Sequence, residues 1–198
     1  MKVSPVLGLF AKSPQAGAVK TRLIPALGED GATKLYTRLL IRSLKIAEQL
    51  SGADKIIFAA EQNDLEYFRA RTTWRSVAQC GDNLGQRMAH AFARYSGDNR
   101  ALILFGADVC DFTPADLSQT LQVLSAGVDV VLGPSYDGGY WLVASSKPNL
   151  PIFTGVDWST GRVFSQTRQR LITAGLRYFC LPVRHDVDVA ADLPRFTQ

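Results

Sequence analysis

Three cations surround one glycine early in the chain: Lys12, Lys20 and Arg22 flank Gly17 in the stretch "GLFAKSPQAGAVKTRL". Carboxylates recur later, each just past an apolar run. Asp108 lies two residues beyond Gly106 in "GADVCD", Asp137 lies in "PSYDGG", and Asp186 and Asp188 lie in "RHDVDVAADL". Phosphate oxygens are bound by backbone N–H groups and fixed cations, and a glycine lets the backbone come close. A hard divalent cation such as Mg²⁺ takes one or two carboxylates and completes its shell with phosphate oxygens and water. Asp108 and one aspartate of "DVD" are therefore candidate metal ligands, and Lys12, Lys20 and Arg22 candidate phosphate partners. Taken singly, such residues are ordinary loop cations and turn-forming carboxylates. As a set they point to a phosphorylated ligand bridged by a metal.

Something must bring these distant residues together. Val6–Ala11, Ile56–Ala60, Ser76–Gln79, "ALILF", "DVVLG", "YWLVA" and "RYFCLPV" read as strands, by short apolar runs bounded by turn residues. Helices are expected over Asp30–Leu50, Leu65–Arg71, from Leu84 to Tyr95, over Pro114–Leu124, and over Thr160–Ala174 with Ser159 or Thr160 as N-cap. In "NLGQRMAHAFARY" the helical spacing places Leu84 and Met88 in the core. Continuous apolar strands alternating with helices predict an α/β fold: a mainly parallel sheet covered on both faces, with the close pair "DVVLG"/"YWLVA" as an antiparallel element. In such sheets ligands sit beyond the carboxyl ends of the strands, and each of the polar groups above follows a strand.

Composition narrows the field. The chain has 198 residues, 46% of them hydrophobic and 20% charged, enough for the core of a single domain over residues 1–198. No apolar run approaches the ~20 residues of a membrane span. The N-terminal apolar run leads into a lysine-bearing loop and not a cleavage site, so a cytoplasmic protein is expected. The net charge of +4 comes without basic runs, which gives no support to a nucleic-acid or membrane partner. Three cysteines with no C-x-x-C are read as buried thiols, and the two histidines are too few for a histidine-rich metal site. The loop "GAVKT" lacks the glycine that a phosphate-binding P-loop needs directly before its lysine. No G-x-G-x-x-G, G-x-S-x-G or H-E-x-x-H occurs either, which excludes the corresponding kinase, dehydrogenase, hydrolase and zincin classes.

The blocks "FAKSPQAGAVKTRLIPALG", "QCGDNLGQRM", "GADVCDFTPADL", "GPSYDGGYWL", "WST" and "DVDVAADL" resemble, in this order and across nearly the whole chain, an uncharacterised bacterial family of GT-A-like transferases. That family is similar to the 2-phospholactate guanylyltransferases, in the nucleotide-diphospho-sugar transferase superfamily. The resemblance implies a Rossmann-like GT-A fold that binds a nucleotide with Mg²⁺ or Mn²⁺. It implies that Lys12, Gly17, Lys20 and Arg22 hold phosphates, that Gly81, Gly85 and Arg87 border base or ribose, and that Asp108 and Asp188 bind the metal. Asp137 would face the acceptor. The chain departs from the family pattern at Ala16, at Ala107, Val109 and Cys110, and at "VAA" within the last block.

The reaction expected is nucleotidyl transfer from a nucleoside triphosphate to a small acidic or phosphorylated acceptor. Lys20 and Arg22 would stabilise developing phosphate charge and Asp137 would orient the acceptor. The alternatives are glycosyl transfer from a nucleotide-sugar, with Asp137 as a base, and a nucleotide-binding regulatory module without catalysis. The choice between Asp186 and Asp188 is left open by "DVD", as are the base and the oligomeric state.

Overall fold

The structure is a computed structural model and describes residues 4–97 and 99–196. The strand β1 (Ser4–Ala11) is followed by a loop, a short 3₁₀ turn and the helix α1 (Ile24–Glu48). Next come β2 (Asp54–Ala59), α2 (Asp64–Arg69), β3 (Arg75–Ala78), α3 (Leu84–Tyr95) and β4 (Arg100–Gly106). The second half adds α4 (Pro114–Ser125), β5 (Val130–Pro134), β6 (Tyr140–Ser145), α5 (Val163–Thr173), β7 (Tyr178–Cys180) and α6 (Leu193–Phe196).

The strands form one seven-stranded sheet in the order β3-β2-β1-β4-β6-β5-β7. Every pairing is parallel except those of β6, which runs antiparallel to both β4 and β5. Alternate residues of each strand feed two cores. Leu7, Leu9, Ile57, Ile103 and Phe105 face one, with α1 and α4; Val6, Ile56, Phe58, Leu102 and Leu104 face the other, with α3. Burial on both faces is why these strands read as unbroken apolar runs. The expected fold class is therefore the observed one.

The elements differ from expectation mainly at their ends. Helix α1 starts six residues earlier than Asp30, because a first turn is joined to the main helix through a kink at Gly28 (φ 69°, ψ 169°), a conformation open chiefly to glycine. Helix α5 starts at Val163, not Thr160; Thr160 instead closes a turn, donating its hydroxyl to the Asp157 carbonyl. Strand β7 stops at Cys180, well short of Val183. Pro182 has no N–H to donate, and beyond it the chain keeps only a bridge to the end of β5, with the Arg184 N–H donating to the Pro134 carbonyl at 3.0 Å, before it pairs with the loop after β4. Helix α4 opens on a capping box, Thr113 and Asp116, with the Asp116 carboxylate accepting from the Thr113 N–H at 2.7 Å. The three cysteines are free, but Cys80 and Cys180 are exposed, not buried as expected.

Candidate active site

The carboxyl ends of β1, β2, β3, β4 and β5 and the start of β6 share one edge of the sheet. The loop leaving β1 is pinned there from two sides. Tyr36 of α1 accepts the Lys12 N–H at 2.9 Å and donates its hydroxyl to the Lys12 carbonyl at 3.1 Å. Burial holds that phenol protonated, well above its usual pKa. The buried pair Ser13–Asp64 ties the next residue to the start of α2. Gly17 takes a left-handed turn (φ 73°), which a side chain would resist.

The same loop ends at Lys20, which adopts the left-handed conformation without being glycine (φ 48°, ψ 41°). That costs on the order of 1 kcal/mol and is held by the contacts of its side chain. Lys20 Nζ lies 2.9 Å from Asp108 Oδ1 and 2.8 Å from Asp188 Oδ1, with only 5% of the side chain exposed. Burial by itself lowers the ammonium's pKa; the two carboxylates and their hydrogen bonds more than offset it, so the net shift is upward and the lysine stays charged. Arg22 adds a contact to the other oxygen of Asp188 at 3.2 Å.

Asp108 and Asp188 meet because two loops zip together. Val109 and Asp186 form an antiparallel bridge, the Cys110 N–H donates to the His185 carbonyl at 3.1 Å, and the Val187 N–H donates to the Asp108 carbonyl at 3.2 Å. Val187 is fully buried between the two aspartates of "DVD", so Asp186 and Asp188, two residues apart, both reach the open side. Asp188 meets the lysine. Asp186 lies beside Asp137 and Ser135, and its pKa is pushed up to about 7, first by burial and then by Asp137, with further contributions from Asp108 and Asp188; the Ser135 hydroxyl partly offsets this. Asp137 itself is fixed by its own turn: Oδ1 accepts the Gly139 N–H at 2.8 Å and the Ser135 hydroxyl at 2.9 Å.

Two cavities adjoin at this edge. The first, about 450 Å³, is lined by the β1 loop, Tyr36, Gln79, Leu84 and Arg87. Among the described residues its cations are Lys12, Lys20, Arg22 and Arg87, and its carboxylates are Asp108 and Asp188. The second, about 660 Å³, holds Asp108, Asp137, Asp186 and Asp188 against one cation, Arg22, with Met88, Tyr140 and Trp158 on its apolar side. Phe10, Arg22, Leu84, Asp108 and Asp188 belong to both walls.

The sequence candidates thus separate into groups. Lys12, Lys20, Arg22, Arg87, Asp108 and Asp188 line the first cavity, and Asp137 lines the second. Gly17, Gly81 and Gly85 line neither. Gly81 offers its carbonyl to Arg87 Nε at 3.0 Å and so aims that guanidinium. Gly85 is packed under Trp158: a Cβ there would come 2.3 Å from the indole Nε1. Leu84, expected in the core, is 44% exposed and stands between the two cavities. Met88 is buried as expected. Asp186 enters as a member of the carboxylate group and not only as a rival metal ligand. The signal for Leu84 was its place directly after the α3 N-cap, at the sheet edge where ligands bind, rather than its helical spacing.

Comparison with known proteins agrees with this fold. A family profile described as an uncharacterised protein family conserved in bacteria (DUF2064) matches residues 43–160, more than half of the chain. The chain belongs to this family. It is also similar to a crystal structure from Desulfovibrio desulfuricans G20 assigned as a nucleotide-diphospho-sugar transferase, at 30% identity and a TM-score of 0.87, covering 94% of this chain and 83% of that one. That likeness places this DUF2064 protein among the nucleotide-diphospho-sugar transferases. The fold recurs in CMP:2-keto-3-deoxy-manno-octonic acid synthetase complexed with CTP (13% identity, TM-score 0.63, 97% and 96% covered). It recurs again in glucosyl-3-phosphoglycerate synthase from Mycobacterium tuberculosis, in complex with Mn²⁺, UDP and glucosyl-3-phosphoglycerate (13% identity, TM-score 0.58, 98% and 75% covered). No curated protein sequence matches the chain. No helix among the described residues is long and apolar enough to cross a membrane.

A divalent cation fits the donor set. Among the described residues no group of three or more acidic, histidine or cysteine side chains is arranged as a closed metal site. Asp108 and Asp188 instead offer two half-exposed carboxylates that converge on one point, now shared by Lys20. Two carboxylates with the remaining positions left to phosphate and water is the coordination Mg²⁺ favours.

Proposed function

We propose that the protein is a metal-dependent glycosyltransferase that draws a sugar from a nucleotide-sugar. One observation carries the choice: the unequal charge of two cavities that meet at Asp108, Asp188 and Arg22. The first cavity, with four cations, receives the diphosphate; its Gln79 and Arg87 end borders the nucleoside. The second cavity, with four carboxylates and one cation, is a poor place for the acidic or phosphorylated acceptor expected from the sequence. It suits the neutral hydroxyl groups of a sugar, which donate hydrogen bonds to carboxylates.

Asp108 and Asp188 would hold the cation, which supplies positive charge to the diphosphate leaving group. Lys20 and Arg22 add fixed positive charge on the same oxygens, already in place before the reaction, so no reorganisation is needed as charge develops. The acceptor oxygen forms a bond to the anomeric carbon, and the bond from that carbon to the diphosphate oxygen breaks. The electron pair leaves on the nucleoside diphosphate, and the acceptor proton passes to a carboxylate at the far wall, Asp137. Orienting acceptor and donor across one junction is where most of the rate would arise.

Nucleotidyl transfer is the second reading, favoured by the four cations of the first cavity, which would match a triphosphate. The test is to incubate the protein and Mn²⁺ with a panel of nucleotide-sugars and of nucleoside triphosphates. Release of a nucleoside diphosphate from a nucleotide-sugar is expected. Release of pyrophosphate from a triphosphate, with nucleotide-sugars inert, would replace this reading with the second one. Tight nucleotide binding with neither product would indicate a regulatory module.

A further inference from the structure

We infer that the acceptor is a molecule with an apolar body and an uncharged hydroxyl or a cationic amine, not an acid or a phosphate, read jointly by Trp158 and Asp137. The inference rests on the transferase reading, and it concerns the part of the second cavity beyond the metal and phosphate junction. Near the junction, Asp108 and Asp188 are balanced by Lys20 and Arg22. Asp137 and Asp186 line the same cavity, and its one cation among the described residues, Arg22, is already paired with Asp188. A negatively charged acceptor would meet these carboxylates without compensation, and like charges brought together out of bulk water repel strongly. A hydroxyl or ammonium meets acceptors instead. Asp137 uses only Oδ1 in its turn, and its Oδ2 is left for such a donor.

The opposite wall is apolar and aromatic. Tyr140 and Trp158 stand edge to face with centroids 6.4 Å apart, beside Met88. Their placement is built in at the backbone level. Gly85, on the first turn of α3, gives up its side chain so that the indole can lie against the helix. The turn carrying Asp137 is locked to the segment after Trp158. A Cβ on Gly138 would fall 2.2 Å from the Gly161 carbonyl oxygen, and the Phe164 N–H donates to the Gly138 carbonyl at 2.9 Å. The carboxylate and the indole are therefore held at a fixed mutual distance, as a recognition pair requires if it is to read two ends of one molecule.

The test uses three probes with one body and different charge: 2-phenylethylamine, 2-phenylethanol and phenylacetate. Their binding to the full-length protein is measured by ligand-observed NMR, with and without Mn²⁺ and a nucleoside diphosphate. Amine and alcohol are expected to bind at least tenfold more tightly than the carboxylate. Asp137→Asn should narrow that gap, and Trp158→Phe should weaken all three less than Trp158→Ala does. Phenylacetate binding as tightly as the amine in the wild-type protein would overturn the inference, whatever the variants do. The parallel titration of UDP, GDP, CDP and ADP separates the two levels. If nucleotides bind and the charge order fails, only the acceptor class is wrong. If no nucleotide binds while the charge order holds, the transferase reading falls and the preference of the cavity stands.

Discussion

The two cavities share five wall residues yet differ in charge, and the difference comes from where each wall originates. The first cavity is made from the loop after β1 and the start of α3, which supply Lys12, Lys20, Arg22 and Arg87. The second is made from the β5–β6 turn and the segment after β7, which supply Asp137, Asp186 and Asp188. Both are anchored on the loop after β4, through Asp108. A parallel sheet delivers these segments to one edge, and the antiparallel β6 places its own leading turn there as well. A cationic cavity and an anionic cavity thus sit side by side, with Asp108 and Asp188, the proposed metal ligands, on the shared wall.

The largest expected consequence of that asymmetry is a pH effect confined to the second cavity. The Asp186 pKa lies at about 7 in the folded protein, above its unfolded value, so the native state binds the extra proton between these limits. Its contribution to stability is complete below about pH 4 and is lost as the pH rises through about 7, by about 4 kcal/mol at most. Urea unfolding of the metal-free protein across pH 4–8 should show this fall, and Asp186→Asn should flatten it. A wild-type profile already flat across that range would mean that Asp186 is not held in the buried position beside Asp137 described above.

Lys20→Ala comes next. It removes a proposed phosphate partner and leaves Asp108 and Asp188 without their shared cation. Losing one charge-assisted contact costs about 1.5–3 kcal/mol, or roughly 10- to 150-fold in nucleotide affinity by calorimetry. Unchanged affinity would take Lys20 out of the first cavity's function. Gly85→Ala should act on the second cavity alone: the added methyl overlaps Trp158, and such overpacking costs about 1–3 kcal/mol of stability. Binding of 2-phenylethanol should weaken while nucleotide affinity holds; equal loss of both would show that the cavities are not separable. The smallest effect is expected for Arg87→Ala, about 1 kcal/mol of nucleotide affinity, because this guanidinium is half-exposed and already bonded to Gly81.

Much of this was legible before the structure. Apolar runs such as "ALILF" mark the strands because both sheet faces are covered, and the residues just past them line the two cavities of the candidate site. The pairing of Asp108 with Lys20 was not legible, since it depends on the zipper between Val109 and Asp186, whose residues carry no periodic signal. Leu84 was misread because helical spacing identifies a face but not whether the first turn projects past the sheet. The roles of Gly81 and Gly85 were misjudged for a related reason: a glycine next to a ligand and a glycine under a tryptophan look the same in sequence. The short β7 was overrun because Pro182 was given less weight than the apolar residues around it.

On the proposed reading, Asp108 and Asp188 form the wall on which metal, phosphate and acceptor meet. That reading is tested most directly by the metal-dependent part of nucleotide affinity, measured calorimetrically with and without Mn²⁺, in the wild type, Asp108→Asn, Asp188→Asn and the double variant. Each substitution keeps size and removes one negative charge, so the metal-dependent part should shrink in both single variants and vanish in the double one. If Asp108→Asn leaves that part intact, the metal site does not lie on the shared wall, and the account of the two cavities is wrong at its junction.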